Sequence, residues 1–290
     1  MNPYQRHIRS VSAGRTNLPG MENTQRPAAA TERMKSNRWV NRLLADQHPL
    51  PLSVALHLVP GVLIVATYLL CTAPLVESID GPPFLGWMLA MCLALAPVEL
   101  GLLLWLGRRR NGRYSLDGVV GYLGKPLPRM RLTLIVAALI TWFVVLGFAL
   151  MPVSDFFQEW LFRWVPFESA GGGVTKLLDG YPDTVVLITL ASSIPLTGLS
   201  FPIIEELYFR GFLLPRISRM GRWAPLVNTT LFSLYHFWSP WALLTRVVFI
   251  LPGVWLVWRK HDLRLSIGMH AGTTLLVATF ATLAMLLNFG

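Results

Sequence analysis

Seven stretches of the chain are almost wholly apolar, near residues 52–76, 84–106, 132–151, 184–209, 223–239, 241–258 and 265–288, and each is bounded by charges or by Pro and Gly. A hydrocarbon layer about 30 Å thick takes roughly 20 residues of helix to cross. The pattern therefore predicts an all-α fold, a polytopic membrane helical bundle with about seven transmembrane helices. The segments between the apolar stretches alternate in charge. Arg33, Lys35, Arg38 and Arg42 precede the first, whereas only Glu77 and Asp80 follow it. Next come the basic run Arg108, Arg109, Arg110, Arg113, Lys125, Arg129 and Arg131, then an acidic connection with Asp155, Glu159, Glu168, Asp179 and Asp183. Arg216, Arg219 and Arg222, a charge-free Trp238-Ser239-Pro240-Trp241, and Arg259, Lys260 and Arg264 complete the series. Lys and Arg are retained on the cytoplasmic side, so the alternation predicts a cytoplasmic N-terminus.

Two further segments stand apart. Phe156, Phe157, Trp160, Leu161, Phe162 and Trp164 lie among charges and predict an amphipathic helix in the outer interface, ended by Gly171 to Gly173. Residues 1–46 are polar and basic without an apolar period, which predicts a disordered cytoplasmic tail and leaves 47–290 as the transmembrane domain.

Composition agrees with the pattern and removes other classes. Hydrophobic residues make up 53% of the chain, charged residues 14%, and the mean hydropathy is +0.51, a balance unsuited to a water-soluble globule. A net charge of +10 would raise nucleic acid as a partner in a soluble protein. Here the basic residues flank membrane spans, so the expected partner is the lipid bilayer and no nucleic acid is expected. The two cysteines, Cys71 and Cys92, both fall in apolar stretches, which excludes a disulfide framework.

A charge inside a span costs from about 3 to more than 10 kcal/mol, so Glu99, Glu205, Glu206, Arg210 and Arg246 each need an explanation. Residues four apart share a helix face, and Glu206 can pair with Arg210. Glu205, rotated by about 100°, is left without that partner, and such a carboxylate in low dielectric can serve as a general base near neutral pH. A turn at Met220 and Gly221 would put Glu205 and His236 the same number of residues from it, and so at one depth. Counting from the Lys260–Arg264 loop instead places His270 shallower than either. Glu99 reads as a structural hydrogen bond or inter-helix pair, and His57 as an inner-interface residue without a role. Arg246 reads either as snorkelling to the outer headgroups or as lining a cavity.

Glu205-Glu206-x-x-x-Arg210, then Phe232-x-x-x-His236, then His270-x-x-x-Thr274 resemble, in this order and over residues 201–280, the CPBP family of CAAX prenyl endopeptidases and bacteriocin-processing or self-immunity proteins. The resemblance implies an intramembrane endopeptidase with its site accessible from the cytoplasm, acting on a peptide or membrane-protein substrate in the bacterial plasma membrane. By position, Glu205 would activate water with His236 assisting, His270 would help stabilise the oxyanion, and Glu206 and Arg210 would support the site. The family motif usually ends in Asn or Asp where this chain has Thr274, whose shorter hydroxyl can still donate to an oxyanion. No cofactor is expected. The alternative is zinc on Glu205, His236 and His270, a ligand set some hydrolases share, although no H-E-x-x-H pattern occurs. The alternative function is a non-proteolytic scaffold or bacteriocin-immunity protein that keeps the fold.

Overall fold

A computed structural model describes residues 38–124, 126–165 and 177–288. Most of the expected disordered tail, and Gly171 to Gly173, lie outside them. Contacts divide the chain into Met1–Asn41 and Arg42–Gly290; the second unit carries everything below. Among the described residues every regular element is helical.

Six helices are long and apolar enough to cross a membrane: Leu50–Glu77, Pro83–Asn111, Arg129–Ala149, Asp183–Tyr235, Pro240–Lys260 and Arg264–Leu287. The fourth has 53 residues and, if straight, would run for about 80 Å, far more than a bilayer's hydrocarbon core. It does not run straight. Ile217 (φ −114°, ψ 15°) and Gly221 (φ 56°, ψ −130°) leave helical geometry. Beyond them the chain returns, so that Asn228 Nδ2 donates to Phe209 O at 3.0 Å and the Phe209 and Phe232 rings stand 4.9 Å apart. Gly221 supplies the positive φ such a reversal needs. The run is thus two arms of a hairpin, and the bundle has seven apolar arms.

We number the helices α1 (Leu50–Glu77), α2 (Pro83–Asn111), α3 (Arg129–Ala149) and α4 (Met151–Leu161). They continue with α5 (183–213), α6 (Ala224–Tyr235), α7 (Leu243–Lys260) and α8 (Arg264–Asn288). A 3₁₀ stretch, Leu214–Trp223, links α5 to α6. The short α4 is the expected amphipathic helix. It ends at Leu161, before the glycine run, exposes Phe156 and Trp160, and docks through Ser154, whose hydroxyl meets that of Thr245 on α7 at 2.9 Å.

Prolines inside these helices determine how they are joined. A proline has no N–H, so the carbonyl four residues before it loses its helical donor, and in a bilayer no water replaces it. Leu56 O, orphaned by Pro60, accepts from the Tyr208 hydroxyl at 2.8 Å. Gly198 O, orphaned by Pro202, accepts from the Thr274 hydroxyl at 2.8 Å. Gly211 O, orphaned by Pro215, accepts from the backbone N–H of Gly121 at 2.8 Å. These three bonds tie α5 to α1, to α8 and to the 112–124 segment. π-helical turns at Tyr68–Thr72, Met91–Leu100, Ile194–Ser200 and Glu206–Leu213 widen the same helices, two of them at Pro97 and Pro195.

Small residues set the closest approaches, as in other membrane bundles. A Cβ on Gly61 of α1 would fall 2.0 Å from Tyr235 O at the end of α6. Gly268 and Gly272 of α8 lie against Val136 and Ile140 of α3, in which Leu139 is the one buried residue and Leu132, Ile135 and Phe143 are half-buried against the core. His270, between the two glycines, is rotated about 200° from each and so points away from α3.

At the basic end, the 112–124 segment packs across α5 and α8. Val120 lies against Gly211, Arg216 is buried with Nη1 donating to Val119 O and Phe212 O, and Leu263 N donates to Tyr122 O. Asp262 fastens the next loop, accepting from Leu127 N at 2.8 Å and from the Arg264 side chain at 2.7 and 2.9 Å. Burial pushes the Asp262 carboxyl up, but the Arg264 guanidinium and the N–H groups of Leu127 and Arg264 outweigh it and hold it below the usual carboxylate range.

Two outcomes follow for stability in detergent. Tyr208→Phe leaves Leu56 O unsatisfied and should cost about 1–3 kcal/mol; in a Pro60→Ala background, where residue 60 regains its N–H, the cost should shrink towards zero. Equal losses of unfolding midpoint in both backgrounds would show that the hydroxyl does not serve that carbonyl. Because the Asp262 carboxyl is depressed in the folded state, its contribution is present above the unfolded value of about 3.9 and is lost as pH falls through the folded value. The gap in unfolding midpoint between wild type and Asp262→Asn should therefore be steady near neutral pH and close under acid.

Candidate active site

The centre of the site is Glu206, which is fully buried. Its Oε1 lies 3.2 Å from Arg210 Nη1 one turn along α5 and accepts from His270 Nδ1 of α8 at 3.0 Å. The Arg210 contact is ionic rather than a directed hydrogen bond, since the guanidinium nitrogens meet no acceptor at hydrogen-bonding angles. Arg210 instead lies over the Phe232 ring, 3.9 Å from its centroid, a cation–π contact that substitutes for lost solvation. Phe232 is also edge-on to both imidazoles, 4.8 Å from His236 and 6.1 Å from His270. One aromatic ring of α6 thus separates the two histidines and supports the cation.

With Nδ1 held by Glu206, His270 turns Nε2 towards Glu205, 3.9 Å from its Oε2. His236 closes α6 and uses Nδ1 to donate to Phe232 O at 2.9 Å, which leaves its Nε2 free. Glu205, His236, His270 and Thr274 line a single cleft of about 440 Å³. The remaining wall is mostly apolar, with Phe84, Met91, Phe143, Phe201 and Trp238. From His270 the lining continues along Val277, Ala278 and Ala281 to Phe84, away from the basic end that the 112–124 segment covers.

Residues 183–276, which run from α5 into α8 and contain Glu205, Glu206, Arg210, His236, His270 and Thr274, match the family model for type II CAAX prenyl endopeptidase Rce1-like proteins. The segment is Rce1-like. This bears out the family read from the three motifs, and with the apolar helices it makes the chain an integral, multi-pass membrane protein. No curated protein and no solved structure matches the chain.

The Rce1-like segment corrects several expectations about depth and orientation. His270 is not shallower than Glu205. Gly211 stands against Leu263, Glu206 against His270 and Gly198 against Thr274, the near-even spacing of antiparallel helices. The residue count misled because the α5–α6 hairpin extends some ten residues past the level at which α8 begins. Part of that extension meets the 112–124 segment, with Pro215 beside Gly121 and Arg216 buried against Val119 O. His57 is fully buried, donates from Nδ1 to Ser53 O at 2.7 Å and accepts at Nε2 from Asn228 at 3.0 Å. Arg246 does not snorkel. It turns inward, Nη2 donating to Ser239 Oγ at 2.7 Å and Nη1 to Ser233 O at 3.3 Å.

Thr274 donates its one hydroxyl proton towards backbone carbonyls, those of Gly198 at 2.8 Å and His270 at 2.9 Å. Glu99 is fully buried on α2. The Tyr235 hydroxyl is placed between it and Glu205, electrostatically coupled to both, without closing a hydrogen bond to either. Sequence reasoning passed over Tyr235, although its place beside His236 at the end of an apolar stretch was a usable signal.

Removing one partner of a buried ion pair strands the other charge, which typically costs about 3–5 kcal/mol. Arg210→Leu should lower the unfolding midpoint by that order, and Arg210→Leu with Glu206→Leu should regain much of it. If the double variant is no more stable than the single, Glu206 was not the stranded charge.

Proposed function

We propose that this chain is an intramembrane endopeptidase that hydrolyses a peptide bond with a glutamate-activated water. The observation that carries the reading is the cleft itself: Glu205, His236 and His270 converge on it while Glu206 fixes the His270 ring by Nδ1. Glu205, without a counter-ion of its own on its helix, takes a proton from water as the water attacks the carbonyl carbon. His236 Nε2, unprotonated while Nδ1 donates to Phe232 O, takes that proton on from Glu205 and passes it to the leaving amine. His270, protonated at both nitrogens with its Nδ1–H held by Glu206, presents Nε2–H to the same space and stabilises the oxyanion. Electrons pass from water oxygen to carbonyl carbon and, when the C–N bond breaks, to the amine nitrogen; no covalent enzyme intermediate is needed.

Glu206 and Arg210 hold His270 in this reading, and Arg210 neutralises Glu206. Thr274 meets an oxyanion only by releasing Gly198 O, so its place is to bind α8 to α5 at the proline-made gap. Among the described residues no group of three or more His, Cys, Asp or Glu side chains is arranged to hold a metal, and Glu206 already engages one His270 nitrogen. No step is therefore routed through zinc.

Substrates are peptides or membrane proteins met at the bilayer, with the chain in the bacterial plasma membrane and its basic loops cytoplasmic. The substrate segment lies along α8, beside Val277 and Ala281. The cytoplasmic access that the resemblance implies requires passage beside the 112–124 segment.

Purified protein in detergent should cleave members of a membrane-peptide library. Glu205→Ala should lower kcat by at least about 10²–10⁴-fold, His236→Ala should act in the same direction, and a strong chelator should leave the rate unchanged. Identical products from wild type and Glu205→Ala would sink the reading. Loss of cleavage with chelator and its return with zinc would replace it by a metal mechanism, and absence of cleavage by wild type across a broad library would favour the scaffold.

A further inference from the structure

α6 ends abruptly at Tyr235, and the residue that follows is one of the two cleft histidines. His236 has φ −78° and ψ 63°, and Phe237 N donates to Tyr235 O at 2.9 Å, so His236 is the central residue of an inverse γ-turn. The turn denies the last carbonyls of α6 their helical donors. Tyr235 O takes Phe237 N within the turn, Phe232 O accepts from His236 Nδ1, and Ser233 O, whose helical donor would have been Phe237 N, accepts from Arg246 Nη1; just beyond, His236 O accepts from Ser239 N at 2.9 Å.

Arg246 comes from α7 and has a second attachment. Its Nη2 donates to the hydroxyl of Ser239 at 2.7 Å, and Ser239 is itself buried. One guanidinium therefore grips the chain on both sides of His236, three residues before it and three after. A cation at a helix C-terminus is favourably placed for the helix dipole, and the planar fork reaches two acceptors at once, as a lysine cannot. The aromatic packing of the turn, with His236 4.8 Å from both Tyr235 and Trp238, fixes its sides but supplies none of these bonds. Arg246 does not line the cleft.

We propose that Arg246 is the positioning residue for His236: it holds the γ-turn closed, so that Nδ1 stays donated to Phe232 O and Nε2 is presented to the cleft. The inference deepens the peptidase reading, but its structural half stands without it. Misplacement of a reacting group by about 1 Å costs on the order of 10²-fold in rate, which sets the scale of the expected effect.

The test uses full-length protein in detergent or nanodiscs, with Arg246→Gln, Arg246→Lys and Ser239→Ala. Nitrogen-15 NMR of histidine-labelled protein, the His236 signals assigned with His236→Gln, reads the tautomer directly. Wild type should show a single Nδ1–H form, and Arg246→Gln a mixture of tautomers; Arg246→Lys should restore it only in part. In the cleavage assay Arg246→Gln should lower kcat about 10²-fold with KM little changed. Ser239→Ala should add little to Arg246→Gln, since one grip is already gone. An unchanged His236 tautomer in Arg246→Gln overturns the proposal, as does a lower unfolding midpoint with kcat per folded molecule unaltered. If no variant, wild type included, cleaves any peptide, the peptidase reading fails and the NMR comparison alone decides whether Arg246 positions His236.

Discussion

A proline within a membrane helix leaves a carbonyl with no donor, and in hydrocarbon that carbonyl must find one from another part of the chain. Pro60, Pro202 and Pro215 each impose this requirement, and each is met by a group on a different segment: Tyr208, Thr274 and Gly121. All three bonds involve α5, the helix that carries Glu205, Glu206 and Arg210. The arrangement converts a local defect into long-range connectivity. A regular apolar helix could slide or rotate against its neighbours at little cost, because lipid is as good a contact as another apolar side chain. An orphaned carbonyl has one satisfactory position, and it fixes the register of α5 against α1, α8 and the 112–124 segment.

Within that fixed register, Glu206 joins the charges. Arg210 and His270 both approach its Oε1, so the same carboxylate neutralises a buried guanidinium and orients the His270 ring. Glu205, one residue earlier, faces the cleft instead. Adjacent residues on a helix point about 100° apart, and the consecutive glutamates divide along that angle, Glu206 towards Arg210 and His270 and Glu205 towards the cleft. Phe232 completes the division on the α6 side, with its face to Arg210 and its edges to the two histidines.

Much of this was legible before the structure. Apolar length gave the helices, and the cost of intramembrane charge singled out Glu205, Glu206, Arg210 and Arg246. The turn at Gly221 was also readable, since Arg216, Arg219 and Arg222 separate two apolar stretches there. The depth of His270 was not, because a residue count assumes that neighbouring loops end at one level, and nothing in the sequence shows the 112–124 segment folding over the α5–α6 hairpin. The direction of Arg246 was equally hidden. It depends on Ser239 and on a γ-turn at His236, and a single residue's dihedral angles are not written in an apolar pattern. Thr274 illustrates the converse, a residue whose contact could have been inferred by noting that Pro202 lies four positions after Gly198.

α8 brings His270 to Glu206, Thr274 to Gly198 and the glycines that receive α3, and it is the last of the described helices to be synthesised. Until it inserts, Glu206 has its arginine but no imidazole, the Gly198 carbonyl has no hydroxyl, and the cleft lacks one wall. A nascent chain with its first six apolar arms already in the bilayer therefore holds the glutamates and His236 but not the assembled centre. The order of synthesis therefore makes the last described helix the one that completes the centre.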